Sequence, residues 1–162
     1  MNEIVKYHKD FENKLVLKNF TASELNFLMA ICTKVRDKKE DEVIFSFNEL
    51  KNISNWTNKN DKDFIHSLEM PNKKLIELTF RFENEKEIIM FVLFPTFHID
   101  KDEKTLKVAV NTKFAYLLNN LSNNFNWYQL KDFTSLKSKY SKLLYKELML
   151  FKDTGYRIFK IE

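Results

Sequence analysis

The segment Phe133 to Gly155, FTSLKSKYSKLLYKELMLFKDTG, carries the most regular pattern in this chain of 162 residues. At 3.6 residues per turn, Phe133, Leu136, Tyr140, Leu143, Leu144, Leu148 and Phe151 share one broad face, the stripe with which a helix covers a core. Lys139, Lys142 and Lys146 fall on the opposite side. Lys152 suits a last turn, and Gly155, the only glycine, suits a left-handed C-cap. The spacing therefore predicts one long helix, which fixes the C-terminal third of any fold. Tyr145 and Met149 break the pattern by lying on the lysine side, which marks them as a face for docking another unit.

The rest of the chain has to supply the body against which that helix lies. Sixteen Phe with one Gly and two Pro describe a compact chain that buries large rings and rarely needs a positive φ. The length suits one domain with a real core. A lone cysteine, Cys32, excludes an internal disulfide framework and a thiolate zinc site, and points to a reducing cytoplasm. The longest apolar run, Ile88 to Phe94, is far short of a membrane span. Of 27 basic and 23 acidic side chains, residues 1–127 hold 19 of each, so the net +4 comes from the 8 basic and 4 acidic residues of 128–162. That imbalance points to a polyanionic partner.

Taken in order, Val5 to Phe20 has no helical period, and Leu15 to Leu17 suggests a short extended piece. Thr21-Ala-Ser-Glu24 has the form of a capping box. It opens a helix to about Lys38 with Leu25, Leu28, Met29, Cys32 and Val35 on one face. Val43 to Phe47 reads as a strand. Ser46 and Glu49 form a second box, opening a short helix, Phe47 to Ser54. After the polar turn Asn55 to Asn60, a further helix runs from about Asp61 to Leu78, with Pro71 expected to break or kink it near Met70. From Thr79 the period becomes two. Thr79 to Glu83, Ile88 to Phe97 and Thr105 to Val110 read as three strands with charged turns between them. Asn111 starts a helix of about ten residues with Phe114, Leu117, Leu118 and Leu121 inward, and Asn123 to Asp132 is a connector. Gly155 to Ile161 begins a strand.

Helix, strand, short helix, turn, longer helix and hairpin is the order of a winged helix, a helix-turn-helix variant with an antiparallel β-hairpin wing. The fold class expected is therefore α+β, a winged helix plus a long C-terminal helix. Four stretches carry more than topology: Asn19-Phe-Thr-Ala-Ser-Glu-Leu-Asn26, Phe45-Ser-Phe-Asn-Glu-Leu50, Lys113-Phe-Ala-Tyr-Leu-Leu118, and Ser135-Leu-Lys-Ser-Lys-Tyr-Ser-Lys-Leu-Leu-Tyr145 with Lys152-Asp-Thr-Gly155. Together they resemble, over nearly the whole chain, the plasmid replication initiators that bind directly repeated origin sequences. The resemblance implies two winged-helix domains, of which residues 1–154 are the first and 155–162 the start of the second. It also implies that this first domain dimerises and positions DNA, with host replication proteins as further partners. Lys142 stands where the family pattern leads one to expect an arginine, so a bidentate contact there is not carried over.

On that footing Asn58, Lys59, Asn60 and Lys62, at the start of the helix opening near Asp61, are the candidate recognition residues. Lys73 and Lys74 are phosphate candidates at the helix's far end, and Lys101 and Lys104 at the wing tip. Against this, Asp61 and Asp63 stand among the first lysines, and Asp100, Asp102 and Glu103 among the last. The strand from Ile88 is too apolar for one-sided burial: either it is central and covered on both faces, or a second subunit closes one edge or face, as the resemblance implies, which makes Ile88, Met90, Val92 and Phe94 the candidate dimer interface. Tyr145 and Met149 are assigned to interdomain docking. His8, His66 and His98 have no metal-ligand spacing, one glycine admits no phosphate loop, and the Asp61/Asp63 and Asp100/Asp102 pairs lack supporting structure. The expectation is a protein without cofactor, metal or enzymatic activity. The competing expectation is a winged-helix interaction module that dimerises and does not bind DNA by itself.

Overall fold

A computed structural model describes residues 3–14, 17–39, 41–78, 80–119, 121 and 125–152. The chain begins with β1 (Ile4–His8) and α1 (Lys9–Lys14), then α2 (Ala22–Val35). The capping box forms as expected: Thr21 Oγ1 accepts from the Glu24 amide at 3.2 Å, and Glu24 Oε2 accepts from the Thr21 amide at 3.5 Å. α2 is the axis of the core, with Leu25 and every residue from Phe27 to Ile31 buried.

Next come β2 (Val43–Ser46), α3 (Phe47–Ile53) and α4 (Asp61–Leu78), the last two completing with α2 the three helices expected from the sequence. Ser46 Oγ accepts from the Glu49 amide at 3.0 Å and starts α3. An aromatic knot joins the helices: the ring of Phe64 stands 5.5 Å from Phe27, 4.9 Å from Phe47 and 5.9 Å from Trp56. Each such pair adds about 0.5–1.5 kcal/mol beyond area burial. α4 runs unbroken through the buried Pro71. Burial of Leu68 and Leu75 on either side outweighs the one helical hydrogen bond a proline forfeits.

The period-two region forms two separate sheets. β3 (Phe80–Glu83) pairs only with β4 (Ile88–Phe91) among the described strands, whereas β5 (Thr96–Asp100) pairs with β6 (Thr105–Ala109), which also pairs with β2. The expected single strand Ile88 to Phe97 is thus two strands in different sheets. Pro95 lacks the N–H a ladder needs, and the chain turns there with Leu93 and Phe94 buried. The hairpin β5–β6 is the wing, and β2-β6-β5 is the sheet of a winged helix.

The N-terminal and late segments correct the sequence reading further. Ile4 to His8 is a strand, paired antiparallel with β7 (Phe125–Gln129), which occupies the expected connector. Leu15 and Val16 lie outside the described residues, as do Gly155 and the strand expected after it. The helix expected from Asn111 is a short 3-10 turn, Thr112–Leu117. Tyr7 and Tyr128 meet beneath the β1–β7 sheet with hydroxyls 3.0 Å apart. Asn126 Nδ2 donates to Tyr7 Oη at 3.3 Å and to the Lys146 carbonyl at 3.0 Å. This buried polar network ties both strands to the C-terminal helix.

The long helix is the largest correction. Residues 133–155 do not form one rod: α5 (Leu130–Ser135) ends, Leu136 is extended with ψ 131°, and α6 (Lys139–Leu150) starts anew behind Ser138, whose Oγ accepts from the Tyr140 amide at 3.1 Å. The break re-aims α6. Lys142 and Lys146 are buried, whereas Tyr140, Leu144 and Leu148, expected inward, are 73%, 48% and 47% exposed. Lys142 Nζ explains the reversal, donating to the carbonyls of Phe133 at 2.8 Å and Thr134 at 3.5 Å, the unsatisfied end of α5. Tyr145 and Met149 turn inward with the lysines. Tyr145 lies edge-on to Tyr128 at 5.4 Å and Met149 packs on the core, so neither is an open docking face.

Candidate nucleic-acid interface

Two loops and one helix start converge at one end of the winged helix. Asn60 Oδ1 accepts from the amides of Lys62 at 2.9 Å and Asp63 at 3.3 Å, capping α4. Asn58 braces the loop before it: its Oδ1 accepts from the Asn60 amide at 2.8 Å, its Nδ2 donates to Asp63 Oδ2 at 3.1 Å, and its carbonyl accepts from Trp56 Nε1 at 2.6 Å. Both amide side chains, read from the sequence as base-readers, are thus engaged in building the loop. Lys59 and Lys62 remain exposed beside them.

The wing tip is built by Asp100, whose Oδ1 accepts from the amides of Asp102 at 3.0 Å and Glu103 at 2.9 Å. Lys104 follows at φ 54° and reaches Asp61 Oδ2 at 3.5 Å, while Lys51 of α3 donates to Asp61 Oδ1 at 3.0 Å. Asp61 is therefore the joint between α3, the start of α4 and the wing. The Lys51 hydrogen bond, with the charge of Lys51 and then Lys104, holds its carboxyl below the usual carboxylate range. The fold thus gathers Lys59, Lys62, Lys101 and Lys104 at one end and adds Lys51, which the sequence reading passed over. Its signal was a basic residue on the outward side of a short helix whose inward side is Leu50 and Ile53.

The remaining candidates separate. Lys73 is exposed but lies twelve residues along α4 from Asp61, about 18 Å at 1.5 Å per residue. Lys74 is consumed structurally: its Nζ donates to both Glu24 oxygens, at 2.8 and 2.6 Å, and to the Asn19 carbonyl at 2.7 Å. A lysine pinned to the cap of α2 does not reach for phosphate. Of the dimer candidates, Ile88 and Met90 are 53% and 62% exposed on the β3–β4 hairpin, and Val92 is half-buried. Phe94 is in the core at 2% exposure, because the chain turns inward between β4 and β5. The Cys32 thiol is buried and pushed up by desolvation. Among the described residues no group of three His, Cys, Asp or Glu side chains stands where it could hold a metal ion, and no helix is long and apolar enough to cross a membrane.

Comparison with known proteins agrees with this architecture. A probable replication protein of Bifidobacterium longum (strain NCC 2705) is 40% identical over 158 residues, covering 95% of this chain and 52% of the relative. The chain therefore spans about half the length of that curated relative. A crystal structure of the Pi initiator protein in complex with iteron DNA superposes with a TM-score of 0.65 at 14% identity, over 98% of this chain and 66% of that one. At that identity the likeness speaks for the shared fold. The family described as Initiator Replication protein, WH1 matches residues 4–149. A winged helix with this arrangement, matched over almost its whole length, belongs to the initiator replication protein family, of which it forms the WH1 domain.

Proposed function

We propose that this chain serves plasmid replication initiation by holding repeated origin DNA, without catalysing a reaction, in the cytoplasm of its host. The observation that carries this reading is the Lys51–Asp61–Lys104 bridge, which ties the wing tip to the start of α4. It sets Lys59, Lys62 and Lys101 around one end, where a duplex offers both a groove and its flanking phosphates. Asn58 and Asn60 shape that end, so the contact is mainly to backbone, which suits a domain that positions DNA more than it reads sequence. The relative crystallised with iteron DNA supports the choice of a duplex of direct repeats as ligand.

The same chain associates with a second copy through the β3–β4 hairpin. That two-stranded sheet presents Ile88, Ile89 and Met90 outward, and apolar side chains beside an edge are a site for strand pairing or face packing between copies. In this reading host replication proteins meet the assembled initiator.

The test is fluorescence anisotropy of a labelled mixed-sequence duplex as salt is raised. Each phosphate contact contributes about 0.9 to the slope of log affinity against log salt, so Lys59→Ala and Lys62→Ala each lower the slope by about that amount. An unchanged slope removes both lysines from the interface. Dimerisation without duplex binding at low salt would assign the chain to protein interaction alone.

A further inference from the structure

The outer face of the β1–β7 sheet carries chemistry that neither duplex binding nor dimerisation uses. Strand alternation sends Val5, Tyr7, Asn126 and Tyr128 inward and leaves Ile4, Lys6, Phe125 and Trp127 on the other side. Trp127 is 44% exposed. Lys6 Nζ lies 4.2 Å from the Phe125 ring centroid, and Lys152 Nζ lies 4.0 Å from that of Trp127 while donating to the Trp127 carbonyl at 2.9 Å. From the end of α2, Arg36 Nη1 donates to the Ile4 carbonyl at 3.1 Å, and its Nε stands 3.7 Å from Asp37. Ile4, Lys6, Arg36, Asp37, Phe125 and Trp127 line an open groove of about 440 Å³.

Three features restrict what fits. Among the residues that line the groove, Lys6 and Arg36 stand against one carboxylate, Asp37, and Lys152 lies at its edge over Trp127, so the balance of the described charges favours an anionic ligand. Two aromatic rings stand two residues apart on one strand, about 6.6 Å at 3.3 Å per residue, so the ligand carries flat groups in series. The groove is open along its length, so the ligand is extended. A duplex satisfies the first and third features but hides its base faces in its own stack. A single strand satisfies all three, because its bases are open for stacking while its phosphates run alongside.

We propose that this groove binds single-stranded nucleic acid, with successive bases on Phe125 and Trp127 and the phosphates between them on Lys6, Arg36 and Lys152. The two lysines now over the rings pivot on their flexible stems to the phosphates as bases take their place. The site shares no residue with the duplex-binding end and does not depend on it.

The chain has two tryptophans, and Trp56→Phe leaves Trp127 as the sole indole reporter. Titrating that chain of 162 residues with an oligothymidylate at low salt gives saturable quenching of Trp127 fluorescence. The affinity for labelled oligothymidylate, read by anisotropy on the otherwise unchanged chain, falls at least about fivefold in Trp127→Leu, the lower end of one lost base stack. Lys6→Gln lowers the salt slope by about 0.7, the single-strand value for one phosphate. Lys59→Ala with Lys62→Ala leaves both results in place while weakening duplex binding, which keeps the two sites experimentally distinct. Absence of quenching, an affinity unaffected by Trp127→Leu, or equal quenching by polyglutamate overturns the proposal.

Discussion

Lys142 enters the core held by the carbonyls that end α5, and desolvation takes its pKa from 10.5 down to about 8. The unfolded chain keeps the ordinary value, so between about pH 8 and 10.5 it binds a proton that the folded chain does not, and stability rises with pH through that window. Below about pH 8 both states carry the proton and the cost of burying the charge is present in full. Denaturation midpoints measured across this range climb for the native chain and lose that climb in Lys142→Met. Glu24 is a second buried charge, at 5% exposure, matched by Lys74. Lys74→Met strands that carboxylate and costs about 1.5–3 kcal/mol in denaturant unfolding, the range for hydrogen bonds to charged groups, while Lys73→Met, at the exposed neighbour, changes stability little. The two lysines differ by one position and look alike in the sequence. Only the packing of α4 on α2 decides which is structural, whereas the Thr21–Glu24 box was legible because its whole chemistry lies within four residues.

At the scale of elements, α2, β2, α3 and α4 were legible because caps, period and polar turns agreed. The C-terminal helix was not, because its apolar period ran across a break that local chemistry had marked. Thr134 Oγ1 and Ser135 Oγ bond back to the carbonyls of Lys131 and Asp132, at 3.4 and 2.9 Å, a competition with the helical ladder that bends or ends helices. Ser138 then offers itself as the next cap. In Thr134-Ser-Leu-Lys-Ser138 three hydroxyl side chains in five positions were the readable signal, and the Leu144/Leu148 stripe drew attention away from it. Hydrogen exchange distinguishes the two arrangements: the amides of Lys137 and Ser138 exchange fast beside slow amides from Leu143 to Lys146, whereas a continuous rod protects all of them. Ser138→Ala removes the cap and costs about 1 kcal/mol. The split of Ile88 to Phe97 followed a similar course, with Pro95 as the signal and apolar continuity as the distraction.

For the molecule as a whole, β1 and β7 escaped the sequence reading because their pairing spans about 120 residues. Each is five residues long, too short for an alternating pattern to stand out. Their contact is what Tyr7, Tyr128 and Asn126 record, and no local signal announces it. The proposed duplex-binding end was half legible. Lys59, Lys62, Lys101 and Lys104 were named from topology, but Lys51 and the joint at Asp61 depend on α3, α4 and the wing meeting in space. The hairpin β3–β4 is the proposed site of self-association: Met90→Lys places a charge in that interface and is expected to turn a dimer into a monomer in sedimentation equilibrium, with the circular dichroism of the fold retained. Among these claims, the gathering of α3, the start of α4 and the wing tip onto one duplex is central. Amide chemical-shift mapping during titration with a duplex of direct repeats tests it most directly. The account predicts the largest shifts at residues 58–62 and 100–104 with Lys51, and it is contradicted if those amides stay silent while the duplex binds elsewhere.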